Sequence, residues 1–237
     1  MIEKINTKLH MTEFNEIRKL YGISEAEHFG YSETEILNFE ETNNIKLPKV
    51  LRDYYLSLGK HKILNESYNR LLEPNSQIGF SDDRYLVFYE ENQGVIFWGI
   101  NENDLSLENP KIYGNYDAIN LSEEWFEDSP NIEKFLLSMA ILNGTLGGLK
   151  YNANKISEDE LKAETLEIIE KKWEEIKNIT FQSQRYFTND FNEVITLSIN
   201  SENKPSGIFI GTNHKDRFIS IIEEINITWD YRSDEDE

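Results

Sequence analysis

The chain has 237 residues, of which 44 are acidic and 24 are basic, so its formal charge at pH 7 is −20. A chain this acidic repels nucleic acids and anionic membranes and attracts basic partners, although a high charge also serves solubility alone. The absence of cysteine excludes disulfides, thiolate nucleophiles and cysteine-bound metals.

The hydropathy pattern predicts a cytoplasmic protein. No stretch approaches the roughly 20 apolar residues that a membrane helix needs, and the N-terminal residues contain no apolar signal core. The charge is uneven: residues 1–60 hold 10 acidic and 8 basic side chains, residues 61–150 hold 15 and 6, and residues 151–237 hold 19 and 10. The final residues, 232–237, are predicted to form a frayed acidic tail.

The first sixty residues predict three helices. The Ser32 hydroxyl and the Glu35 carboxylate are spaced as a capping box, which marks a helix start. Pro48 marks another start, because proline is favoured in the first helical turn. Gly22 and Gly59 are natural stops. The predicted helices cover Thr12–Leu20, Ser32–Asn43 and Pro48–Leu58, and the last of these has apolar residues at helical spacing: Val50, Leu51, Tyr54, Tyr55 and Leu58.

The centre of the chain predicts a β-hairpin. Residues 85–89 and 95–100 are runs of β-branched and aromatic residues, and the polar segment 90–94 between them ends in Gly94. Because both runs are almost continuously apolar, we expect them to be central strands covered on both faces. A short strand is predicted at 111–113.

The rest of the chain predicts three further helices and several strands. A helix beginning at Ser129-Pro130 has a stripe of Ile132, Phe135, Leu136 and Met139 and ends at Gly144. Another begins with a capping box at Ser157–Glu160 and continues to Lys177, with Trp173 and Ile176 on its buried face. Predicted strands lie at 181–187, 194–199, 208–210 and 225–231, and Asn213 is predicted to cap a helix that ends near Glu224.

This order of elements predicts an α+β fold rather than alternating β/α units. We expect a mixed, mainly antiparallel sheet flanked by helices over residues 1–150. Residues 151–237 are expected to form an α+β extension packed on the same core. The sequence leaves open whether the strands after residue 180 join the first sheet or form a second one.

No motif predicts a metal site, a cofactor site or a catalytic nucleophile. The four histidines, His10, His28, His61 and His214, lack metal-binding spacing, and no Gly-x-Ser-x-Gly elbow is present. The glycine cluster at 144–148 lacks the lysine of a phosphate-binding loop, so it predicts a helix stop and a turn.

Paired carboxylates offer the remaining candidate sites. Two facing carboxylates in a cleft would suit a hydrolase, solvated loops are the ordinary alternative, and a partner-facing acidic surface is the third. Trp125 stands among acidic residues and is a candidate contact anchor. The candidate partner-binding residues are Asp82, Asp83, Glu90, Glu91, Glu123, Glu124, Trp125, Glu127 and Asp128.

Residues 32–100 resemble the SUKH superfamily, which includes the Smi/Knr-type cell-wall regulators and many bacterial immunity proteins. One block of the resemblance is Ile36–Glu40, Ile45–Pro48, Leu51–Tyr55 and Gly59; the other is Leu86–Ile100, a hairpin with Trp98 in its return strand. The resemblance covers about a third of the chain, does not extend beyond residue 150 and gives no contact positions that transfer by motif.

The resemblance implies a SUKH-like domain over residues 1–150 and a non-catalytic, protein-binding role. It implies an immunity protein that neutralises a cognate toxin domain, often a nuclease, whose basic surface the acidic chain would cover. The alternatives are a regulatory scaffold of the cell-wall-regulator type and a hydrolase that uses paired carboxylates. We expect no cofactor, no nucleic acid and no membrane as partners, while the oligomeric state stays open.

Overall fold

The computed structural model describes residues 14–75, 77–116, 124–156, 161–179 and 184–235. The predicted capping box at 157–160 and His10 lie outside these residues. Within the described part, none of the helices combines the length and apolar character needed to cross a bilayer.

The chain folds as α+β, as predicted, with helices and two antiparallel sheets. The described helices are α1 (14–21), α2 (Glu33–Asn43), α3 (Lys49–Leu58), α4 (Lys62–Glu66), α5 (Ile132–Asn143), α6 (Ala163–Lys172) and α7 (Lys215–Ile225). The strands are β1 (Arg70–Leu71), β2 (Gly79–Phe80), β3 (Tyr85–Glu90), β4 (Phe97–Asn101), β5 (Ile112–Asn115), β6 (Phe126–Ser129), β7 (Tyr151–Ile156), β8 (Glu174–Ile176), β9 (Gln184–Thr188), β10 (Glu193–Ile199), β11 (Pro205–Thr212) and β12 (Tyr231–Arg232). The first sheet has the order β1-β3-β4-β5-β6 with β2 beside β3, and the second has the order β12-β7-β11-β10-β9-β8.

Local signals place the N-terminal helices. The capping box is formed as predicted: the Glu35 N–H donates to Ser32 Oγ, and the Glu35 carboxylate accepts from the Ser32 N–H. Pro48 occupies the cap of α3, one residue before the helix begins. The sequence did not reveal the buried Glu40, which accepts a hydrogen bond from the Leu47 N–H at 2.9 Å and so fixes the turn between α2 and α3.

The predicted hairpin is formed by β3 and β4, and Trp98 is buried in the core as expected. A shift of register between Val87 and Tyr89 interrupts the pairing, and Phe88 and Tyr89 are both buried although they are consecutive. The expectation of cover on both faces is wrong, because Tyr85 and Val87 remain partly exposed on the face opposite the core.

Helix α5 lies at the centre of the molecule. It begins at Ile132 rather than at Ser129-Pro130, because Ser129 pairs with Ile112 in the first sheet and the Asn131 side chain caps the helix. Phe135 packs against Phe88, Tyr89 and Trp98. Burial extends well beyond the predicted stripe, to Leu137, Ser138, Ala140, Ile141 and Asn143, because α5 also contacts β10 of the second sheet. The glycine cluster forms the predicted turn after α5, where Gly147 has φ +114°.

The strands after residue 180 form a second sheet with β7, which answers the question that the sequence left open. One face of this sheet supplies Tyr186 and Val194 to the core that contains α5. The other face packs against α6 and α7, with Ile195, Ile210 and Phe218 fully buried. Every described strand pair in both sheets is antiparallel, so the mixed pairing expected for the first sheet is absent from this part of the chain.

Two predictions for the helices of the C-terminal part are wrong. Helix α6 ends at Lys172 instead of Lys177, because Trp173 turns into an extended conformation and donates its indole N–H to the buried Glu193. Asn213 does not cap α7: its side chain accepts from the Lys150 N–H and donates to the Leu20 carbonyl.

The predicted strand at 225–231 is reduced to Tyr231–Arg232. Part of the supposed frayed tail is ordered as well. Ser233 Oγ accepts from the Asn152 N–H at 2.9 Å, and the Arg232 guanidinium pairs with Asp234.

Candidate functional site

The first sheet presents a face that points away from α5. Val87, Gly99, Tyr113 and Glu127 are successive partners across β3, β4, β5 and β6. Directly opposed residues of antiparallel strands project on the same side, so this row defines one face of the sheet. We call it the outer face, together with Tyr85 in β3 and Trp125, the residue just before β6.

Three partly exposed rings form an aromatic cluster on the outer face: Tyr85, Tyr113 and Trp125. Trp125 stacks on Tyr85 with 4.1 Å between ring centroids and 10° between ring planes. Tyr113 meets Tyr85 edge-on at 5.5 Å. Trp125 reaches across the sheet because Gly99 has no side chain, and a Cβ atom there would lie 3.3 Å from the indole ring.

The segments that carry the outer face contain many more acidic than basic side chains. Segments 79–116 and 124–131 contain ten acidic residues and two basic residues, Arg84 and Lys111. Both basic residues are paired: Arg84 Nε donates to Glu102 at 2.8 Å, and Lys111 Nζ lies 2.7 Å from Glu127. The carboxylates of these segments therefore outnumber the cations that can pair with them.

The electrostatic environment of the cluster is negative. Burial, followed by the charges of Glu127 and Asp104, raises the pKa of Tyr113 above its ordinary value. The hydrogen bond from Arg84 lowers the pKa of Glu102, which keeps that carboxylate ionised.

The predicted contact residues fall into two groups on β3. Asp82 and Asp83 are exposed in the turn before Tyr85, and Asp83 accepts a hydrogen bond from Ser81 Oγ at 2.6 Å. Glu90 and Glu91 lie at the opposite end of the strand. There Glu90 pairs with Arg70 at 2.7 Å.

Glu91 has a structural role at that end of β3. Its carboxylate accepts from the backbone N–H groups of Gln93 and Val95 and so shapes the hairpin turn.

The predicted contact residues in and just before β6 also fall into two groups, exposed and buried. Glu124 and Glu127 are exposed and Trp125 is partly exposed, whereas Glu123 lies outside the described residues. Asp128 is only 2% exposed and, as the residue after Glu127 in β6, projects from the opposite face of the sheet. Burial, together with the charge of Asp128, raises the pKa of Tyr186 there. We therefore leave Asp128 out of the candidate surface.

Sequence reasoning missed Tyr85, Gly99 and Tyr113 as parts of the site. Each lies in a run that also serves the core, and nothing in the local pattern distinguishes the outward residues. The one sequence signal that could have identified these residues was the alternation of inward and outward side chains along a strand. The register shift between Val87 and Tyr89 obscures that alternation.

An open cleft of about 900 Å³ lies at another place, between α4, the Gly144–Gly148 turn and β7. Glu66 is the one carboxylate among its described lining residues, so the cleft lacks the facing pair that glycoside hydrolysis requires. In the described ranges, we find no group of three or more histidine and carboxylate side chains arranged to hold a metal ion.

Comparison of the chain with protein-family models, curated proteins and solved structures found no match.

Proposed function

We propose that this protein binds and neutralises a cognate toxin domain with a basic surface, and that the outer face of the first sheet is the contact surface. The observation that carries the proposal is the aromatic cluster of Tyr85, Tyr113 and Trp125 within an excess of carboxylates. Exposed aromatic residues at the centre of a polar rim are typical of protein-binding surfaces.

The two components of this surface contribute to different stages of binding. Long-range attraction between the acidic chain and a basic partner accelerates the encounter and weakens as salt rises. Burial of the aromatic rings at the contact slows dissociation. A nuclease toxin would be attracted to the carboxylates, because its phosphate-binding surface is cationic. In this proposal the protein acts by covering the toxin's substrate groove and has no catalytic role of its own.

The test is a binding titration between the purified chain and the product of the adjacent gene, followed at several salt concentrations. We expect nanomolar binding that weakens as salt rises, together with loss of the partner's toxicity. The absence of binding between two folded proteins would refute this toxin pairing and favour the regulatory scaffold.

Two variants locate the surface. Trp125→Ala is expected to weaken binding about 30-fold, the effect of removing a typical anchor of about 2 kcal/mol. Tyr231→Ala, which removes a ring 40% exposed on the second sheet, is the matched control and should leave the affinity unchanged. Equal effects of the two substitutions would show that the outer face is not the contact surface.

A charge variant tests the electrostatic component separately. Asp82→Asn combined with Asp83→Asn is expected to slow association and to reduce its salt dependence, with little effect on dissociation. The control is Glu25→Gln combined with Glu41→Gln, which removes the same charge from exposed positions in the helical part. If both double variants slow association equally, net charge rather than the outer face steers the encounter.

A further inference from the structure

The aromatic cluster has the features of a receptor for one particular cation. Guanidinium groups stack on aromatic rings through their flat faces while their N–H groups donate to carboxylates at the edge. An ammonium group offers a point charge without the flat face. A site that combines exposed rings with carboxylates at their edge therefore favours arginine over lysine.

The chain itself uses this arrangement twice. The Arg84 guanidinium lies 4.2 Å from the centre of the Phe80 ring while its Nε donates to Glu102 at 2.8 Å. The Arg185 guanidinium lies 5.0 Å from the Phe187 ring and donates to Glu175 at 2.7 Å. In both places a ring and a carboxylate hold one guanidinium together.

The outer face has the same two components without an arginine of its own. Across the described residues, no lysine or arginine is placed over the rings of Tyr85, Tyr113 or Trp125. Asp104 ends the short turn Glu102–Asp104 that follows β4, and the residue before that turn, Asn101, pairs with Tyr85 in the sheet. Asp104 and Glu124, which precedes Trp125, form no ion pair with any described residue, and the one lysine whose charge acts on both Asp104 and Tyr113, Lys111, is paired with Glu127.

We propose that the aromatic cluster binds an arginine side chain of the partner protein, which stacks on the rings of Tyr113 and Trp125 and donates to Asp104. The inference rests on the proposed function, since it names the group of the basic partner that the outer face takes. It assigns the specificity of the contact to guanidinium geometry, in addition to the overall attraction between unlike charges.

The first experiment needs no toxin. A capped glycine-arginine-glycine peptide and its lysine counterpart are titrated into the ¹⁵N-labelled protein while the indole N–H signals of its four tryptophans are followed by NMR. The Trp125→Phe variant identifies the Trp125 signal by its loss. We expect the arginine peptide to shift that signal and the lysine peptide to bind at least about threefold more weakly.

Variants test the assigned partners of the guanidinium. Asp104→Asn is expected to weaken arginine-peptide binding about threefold, and Tyr113→Leu to reduce the preference for arginine over lysine. Glu41→Gln removes an exposed charge from α2 and serves as the control, with no expected change. Unchanged signals from the other three tryptophans show that each variant is folded.

The outcomes separate this inference from the proposed function. Equal binding of the two peptides, or no shift of the Trp125 signal by the arginine peptide, would refute the arginine site. The proposed function would still stand if the intact toxin bound and perturbed Trp125. Conversely, arginine-selective binding at Trp125 without toxin binding would support the arginine site and refute the toxin pairing.

Discussion

Asn143 offers the sharpest test of how this fold is held together. It is the last residue of α5 and is fully buried. Its side-chain NH₂ group donates to the Leu64 carbonyl at 2.9 Å and to the Asn69 carbonyl at 3.0 Å, while its oxygen accepts from the Asn69 N–H at 2.9 Å. One side chain therefore joins the end of the central helix to α4 and to the segment that leads into β1.

Replacing Asn143 with leucine keeps the branched shape of the side chain and removes these three hydrogen bonds, together with a longer one of 3.3 Å to Tyr89 Oη. The Asn69 N–H and the two carbonyls would remain buried without this partner, at a cost of about 1–3 kcal/mol each. Burial of the leucine side chain offsets about 2 kcal/mol of that loss. The expected net effect is a decrease of about 3 kcal/mol in the free energy of unfolding, a large fraction of the stability of an ordinary domain.

The assay is urea unfolding followed by circular dichroism, with the midpoint and slope compared between variants. The control is Asn154→Leu, because the Asn154 side chain is partly exposed and makes no hydrogen bond with the described residues; its effect should stay within about 0.5 kcal/mol. If Asn143→Leu changed stability no more than this control, the proposed role of Asn143 in joining α4 to α5 would be refuted.

Two further predictions concern pH and backbone packing. Burial lowers the pKa of His61, whose neutral ring accepts from the Leu64 N–H at 3.1 Å; stability should therefore fall as pH drops below about 6.5, because the unfolded chain then binds the extra proton. His61→Asn keeps a capping acceptor and should flatten that part of a stability–pH curve, whereas an unchanged slope would contradict the assignment. Gly30→Ala should destabilise the protein by about 3 kcal/mol or more, because the new Cβ would lie 1.7 Å from the Leu56 carbonyl oxygen. Gly79→Ala meets no atom within 4 Å and should be close to neutral in the same urea unfolding measurement, so similar losses of stability would contradict the packing.

Features set by consecutive residues were predictable from the sequence. The capping box at Ser32 and Glu35 needs only a three-residue spacing, and the structure forms it as predicted. The hairpin of β3 and β4 needs only two apolar runs and a polar turn, and it is also formed. In both cases the interacting groups are close in the sequence, so no knowledge of distant packing is required.

Features that depend on distant residues were not predictable. The apolar periodicity of the α6 sequence continues through Trp173, which predicts a longer helix. In the structure the Trp173 indole donates to Glu193, twenty positions later, and the three residues after Trp173 pair with β9. Tertiary contacts here outweigh the intrinsic preference for helix, which amounts to fractions of a kcal/mol per residue. The burial of α5 on several sides likewise requires the second sheet, whose existence the sequence left open.

The candidate site depends on register, which explains why its acidic members were easier to find than its aromatic ones. Exposed carboxylates such as Asp82 and Asp83 stand out in a sequence because charged residues rarely lie in a core. Tyr113 lies on the outer face because of the partner opposite it, and Trp125 because of the bare backbone of Gly99. A shift of one residue in β5 would turn Tyr113 into the core and Gly114 outward. Partner recognition by this face is thus a property of strand pairing, and substitutions that alter the register of β5 should abolish it even when every aromatic residue is retained.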